Sequence, residues 1–150
     1  MRIFFISFLL CCFGNVCADD VDVICNTKNI NKMEVIYYPT FILNNIATTK
    51  EQLKLRYIYK FEINNIQDTP YQEEIMRILR IDYSEKKKDS DIRWGVNISS
   101  EGGGRCSLYF DAFGKCGKIN DVDVCFKNNK IIDWVKNNIP IFMQYDNDVQ

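Results

Sequence analysis

Apolar and polar positions alternate most regularly over residues 53–63. There Leu53, Leu55, Tyr57, Tyr59, Phe61 and Ile63 are separated by Lys54, Arg56, Ile58, Lys60 and Glu62. A period of two over such a run predicts a half-buried strand of an antiparallel sheet. The competing reading is a helix capped by Thr48, with Glu51 three residues on. At helical spacing, however, these apolar side chains scatter around the axis. Shorter strand-like runs occupy residues 21–25, 34–38, 93–98, 105–113 and 123–127. Pro39 closes the second of these, and residues 41–46 offer an extension beyond it. The runs at 93–98 and 105–113 flank a polar, glycine-rich segment and read as a hairpin. Residues 141–145, just after Pro140, read as a final edge strand.

Two segments carry helical patterns. Thr69, Pro70 and Gln72 supply an N-cap, a proline at the first helical position and a capping-box partner. Glu73 and Glu74 follow in the first turn, with Arg77 and Arg80 later, as the helix dipole favours. Tyr71, Ile75, Ile78 and Leu79 then share one face. A strand remains the alternative over residues 70–82, since Ile75, Leu79, Ile81 and Tyr83 also alternate. Residues 131–138 predict two helical turns that place Ile131, Ile132 and Val135 inward, with Trp134 in reach. Residues 26–32, 64–68 and 84–91 read as loops, and Gly114 and Gly117 frame Cys116 in a turn. The sum is an α+β fold, an antiparallel sheet of about six or seven strands with one or two short helices. An all-β sandwich is the alternative.

The N-terminus stands apart from this pattern. Residues 1–18 begin with Arg2, continue as a short apolar run and end with Val16 and Ala18 at a small-residue cleavage site. That is the layout of a cleaved secretory signal peptide, and the run falls short of a bilayer span. Residues 19–150 are then a single exported globular domain. Cleavage also changes the cysteine count. Seven cysteines become four: Cys25, Cys106, Cys116 and Cys125. In an exported chain an even set implies a disulfide framework, with three pairings open. Spacing favours Cys116–Cys125 as a local loop and Cys25–Cys106 as a long-range staple. No C-x-x-C pair and no histidine is present, so neither a redox motif nor a zinc site is expected, and no metal or other cofactor is implied.

Composition narrows the function classes. The chain has 150 residues, 47% hydrophobic and 26% charged, with a formal net charge of −1. Such balance is that of a globular domain and argues against a dedicated nucleic-acid or polyanion binder. The missing histidine excludes histidine-dependent triads and bases. Asn97-Ile98-Ser99 is an N-glycosylation sequon, expected where a strand runs into a loop. Gly102, Gly103, Gly104 and Arg105 read as a hairpin loop rather than a phosphate cradle, because no helix follows. Lys54, Arg56 and Lys60 read as the wet face of the long strand. Asp121 and Asp123 read as surface carboxylates. Glu62, Glu73, Glu74, Glu101 and Asp111 are available for carboxylate chemistry, but their spacing selects no pair, and no catalytic residue is assigned. The expectation is a secreted, non-catalytic binding protein, periplasmic if bacterial, whose partner is another protein on a host or cell surface. Tyr37, Tyr38, Trp94 and Trp134 are its candidate anchors. A small carboxylate hydrolase and a lipid or small-ligand carrier are the alternatives.

Overall fold

Alternation along the chain resolves into two faces of one sheet. The computed structural model describes Cys25, residues 29–85 and residues 89–139. Seven strands, β1 (Ile30–Tyr37), β2 (Tyr59–Asn64), β3 (Tyr83–Glu85), β4 (Ile92–Ser100), β5 (Arg105–Asp111), β6 (Cys116–Ile119) and β7 (Val122–Phe126), form it in the order β2-β1-β4-β5-β6-β7-β3. Every pairing is antiparallel. Three helices join them: α1 (Lys50–Arg56), α2 (Tyr71–Ile78) and α3 (Ile131–Asn138). The fold is therefore α+β and disulfide-stabilised; the described residues hold these three α-helices, where the sequence pattern predicted one or two, and a single sheet rather than a sandwich.

The apolar face carries Met33 and Val35 of β1, Val96 and Ile98 of β4, Leu108 and Phe110 of β5, and Val124 of β7. Ile75, Ile78 and Leu79 at α2 and Ile131, Trp134 and Val135 of α3 pack into the same core. Burying each such side chain stabilises the fold by about 1.5–3 kcal/mol. The opposite face is polar except under α1. There Leu53 joins Ile36, Ile92 and Tyr109 in a small second core. Tight pairing in the right half of the sheet needs Gly117, where a Cβ would lie 1.8 Å from the Tyr109 carbonyl oxygen. The β4–β5 turn uses Gly102 and Gly103 at positive φ, which a side chain would strain.

Both disulfides pair as the spacing favoured. Cys116–Cys125 joins residues that face each other in β6 and β7. Cys25–Cys106 ties the chain ahead of β1 to β5 across 81 residues of sequence.

Four local expectations change. The run at 53–63 is not one strand: its first part is α1, and only Tyr59–Asn64 is strand. A capping box overrides the alternation. The Thr49 hydroxyl accepts from the Gln52 N–H at 3.2 Å, and the Gln52 side chain accepts from the Thr49 N–H at 3.0 Å. Residues 41–46 do not extend β1 but form a loop. Cys116 and Gly117 lie in a strand, β6, rather than in a turn. Helix α2 is observed, yet Thr69 does not cap it; its hydroxyl donates to the Ile66 carbonyl at 2.7 Å. The signal segment 1–18, the edge strand at 141–145, and all but Cys25 of the strand at 21–25 lie outside the described residues.

Candidate functional site

The connection between β1 and β2, residues 38–58, packs inside out. Its fixed point is Arg93, a 5% exposed residue at the irregular start of β4. Arg93 Nη1 donates to the carbonyls of Pro39 at 3.2 Å and Ile42 at 3.0 Å, and Nε donates to Asp91 at 2.9 Å. Its guanidinium also sits 5.4 Å from the centre of the Tyr38 ring. Asp91 in turn accepts from the Thr48 N–H at 2.7 Å, and the Thr48 carbonyl accepts from the Ile92 N–H at 2.8 Å. Asn44 donates to the Thr48 hydroxyl at 2.9 Å. Polar groups thus turn inward and hold the loop at both ends.

Apart from Leu53 and Pro39, which are buried, most apolar side chains of the same connection turn outward. Leu43 is 89% exposed, Leu55 85%, Ile46 77% and Phe41 61%. Ile58 and Tyr57 extend the exposed set at the end of α1. Of the nine large hydrophobic residues exposed among the described residues, six lie in this one connection. Singly exposed apolar residues are ordinary; six within one connection are not.

A second arrangement occupies the far half of the polar sheet face. Glu34 accepts from Lys60 at 2.8 Å and from the Asn97 side-chain amide at 2.9 Å. Glu62 accepts from Lys60 at 2.8 Å and Lys32 at 2.9 Å. The Ser107 hydroxyl donates to Asn97 Oδ1 at 2.7 Å. This ladder crosses β2, β1, β4 and β5. Hydrogen bonds from Lys60 and then Lys32 pull the Glu62 carboxyl down to about 2. The Glu34 and Glu62 carboxylates hold the Lys60 ammonium well above its ordinary value. Between this ladder, Lys54 and the β4–β5 turn lies a groove of about 430 Å³. A second hollow of about 350 Å³ opens at the start of α1, beside Lys118 and Asp89.

Of the four candidate aromatic anchors, three belong to the interior. Tyr37 stacks on Trp94 at 3.9 Å and on Tyr59 at 6.1 Å, and both Tyr37 and Trp94 are buried. Trp134 is buried against the edge of Tyr71. Tyr38 is half-buried beside Arg93. Asn97 lies mid-strand in β4, facing the groove, rather than at a strand end.

The carboxylates do not converge. Glu62 is in the ladder, Glu73 and Glu74 are on α2, and Glu101 is in the β4–β5 turn. Asp111 accepts from the N–H groups of Phe113, Lys115 and Cys116 and so shapes the β5–β6 turn. Asp123 pairs with Lys118 at 2.7 Å, and Asp121 pairs with Lys50. Carboxylate hydrolysis needs one carboxyl that keeps its proton. Glu62 is pushed the other way.

The exposed apolar residues of the connection were missed in the sequence because Phe41, Leu43 and Ile46 read as strand. Their flanks carried the contrary signal: Asn44, Asn45, Thr48 and Thr49 are turn and capping residues. No family model, curated protein or solved structure matches the chain.

Proposed function

We propose that this chain is an exported, non-catalytic binding protein that engages another protein through the apolar connection between β1 and β2. The observation that carries this reading is the outward set Phe41, Leu43 and Ile46 on a loop pinned from inside by Arg93, continued by Leu55 on α1. Desolvating such side chains at an interface supplies the same driving force as a core, at about 25 cal/mol per Å². A loop held in shape before binding loses less entropy when it docks. Two disulfides and the leader-like residues 1–18 support an oxidising, extracellular destination. Among the described residues no helix is long and apolar enough to cross a membrane. The partner sits on a host or cell surface, and neither metal nor cofactor takes part.

The test is affinity capture from the fluid or cell surface that meets the secreted chain. Wild type is compared with Leu43→Asp/Leu55→Asp, two exposed positions whose change leaves the thermal midpoint in place. A partner retained by wild type and lost from the variant supports the reading. Equal retention by both, or none by either, overturns it.

A further inference from the structure

We infer that the groove on the polar sheet face binds a short acidic oligosaccharide, one bearing sulfate or uronate groups. Cations outnumber carboxylates in its lining, Lys32, Lys54 and Arg105 against Glu34, and the Lys60–Glu62 pair adjoins it on β2. All four carboxylate oxygens of Glu34 and Glu62 already accept a hydrogen bond or ion pair from Lys32, Lys60 or Asn97. Lys54 and Arg105 have no carboxylate partner among the described residues, and both are exposed at the groove. Two positive charges are therefore available to an incoming anion.

The floor argues for a sugar over a peptide. It is made of Asn97, Ser99 and Ser107; one Asn97 N–H goes to Glu34 and the Ser107 proton to Asn97, which leaves the second Asn97 N–H, the Ser99 hydroxyl and the Ser107 oxygen to meet sugar hydroxyls. An extended acidic peptide needs main-chain partners as well. The floor strands β1 and β4 pair on both sides, so their backbone groups are already used, and in β5 the Ser107 N–H and carbonyl both bond to Asn120. A volume of about 430 Å³ falls within the usual range of about 300–1,000 Å³ for small-ligand sites. The near-neutral total charge of −1 gives no long-range pull on a long polyanion. A short ligand matched to a local patch escapes that objection. Lys54 reaches the groove from α1, within the connection that carries the apolar residues, whereas the other lining residues stand on β1, β4 and β5.

Asn97 heads the sequon and faces the groove, so the test uses full-length chain exported to a bacterial periplasm, where no N-linked glycan is added. Titration calorimetry compares a heparin-derived tetrasaccharide, a polyuronate tetrasaccharide, a neutral tetrasaccharide and tetraglutamate. The expected result is binding of one or both acidic saccharides. It weakens at least tenfold in Lys54→Gln/Arg105→Gln, holds in Lys115→Gln at the other end of the sheet, and is absent with the neutral sugar. No binding of either acidic saccharide, an equal loss in Lys115→Gln, or tetraglutamate binding as tightly as the saccharides overturns the inference.

Discussion

Arg93 and Glu62 illustrate what single side chains decide in this molecule. Arg93 is buried at a strand start, where an apolar residue would be the ordinary choice, and it spends its donors on loop carbonyls. A buried guanidinium is stable only when its donors are met, so the loop's course and the arginine's burial depend on one another. Neither could be read from residue type. Likewise Tyr37, Trp94 and Trp134 are interface-prone residues by kind, and only strand register and helix packing show them to be core. Glu62 makes a pH prediction. Its carboxyl is held near 2 in the folded chain, below the ordinary 4.5, so the unfolded chain takes up the proton first on acidification. The stability it contributes is complete above about pH 4.5 and is lost as pH falls toward 2. Thermal midpoints measured across that window are expected to fall for wild type and to fall less steeply for Glu62→Gln. Parallel curves would show that the ladder adds nothing to stability.

At the scale of elements, β4, β5, β7, α2 and α3 were legible because period and end signals agreed. The hairpin had a glycine turn, and α3 had an apolar face and a proline beyond it. The 53–63 run misled because it joins two elements whose patterns happen to continue one another. Leu53 is buried and Leu55 is 85% exposed, so the alternation in α1 was never a shared face. The deciding signal was local: Thr49 and Gln52 form the box one residue later than the Thr48 and Glu51 weighed from sequence. Thr49→Ala should therefore cost about 1 kcal/mol in chemical denaturation. Leu53→Ala should cost more, about 2–5 kcal/mol, because it empties the small core under α1. If Thr49→Ala costs nothing, the cap is not what holds α1 as a helix. Strand β6 was hidden for a different reason: four residues, one of them Gly117, offer too short a pattern, and pairing on both sides supplies what propensity does not.

The whole molecule divides its surface by layer. Among the described residues, helices α2 and α3 pack on the apolar face and α1 on the polar one. Two disulfides close loops of very different length, 81 and 9 residues. By chain entropy, replacing both Cys25 and Cys106 with Ser should cost about 2 kcal/mol more than replacing both Cys116 and Cys125. Urea unfolding of the two variants measures the difference, and equal losses would mean the long bridge constrains little. The central claim is that the β1–β2 connection is the contact surface. Its most direct test places a photo-crosslinking side chain at Leu43 or at Glu73, an exposed position on α2, which packs on the other face of the sheet from α1. Irradiation in the partner's presence should give a covalent product from position 43 and none from position 73. A product from 73 alone, or from neither, would contradict it.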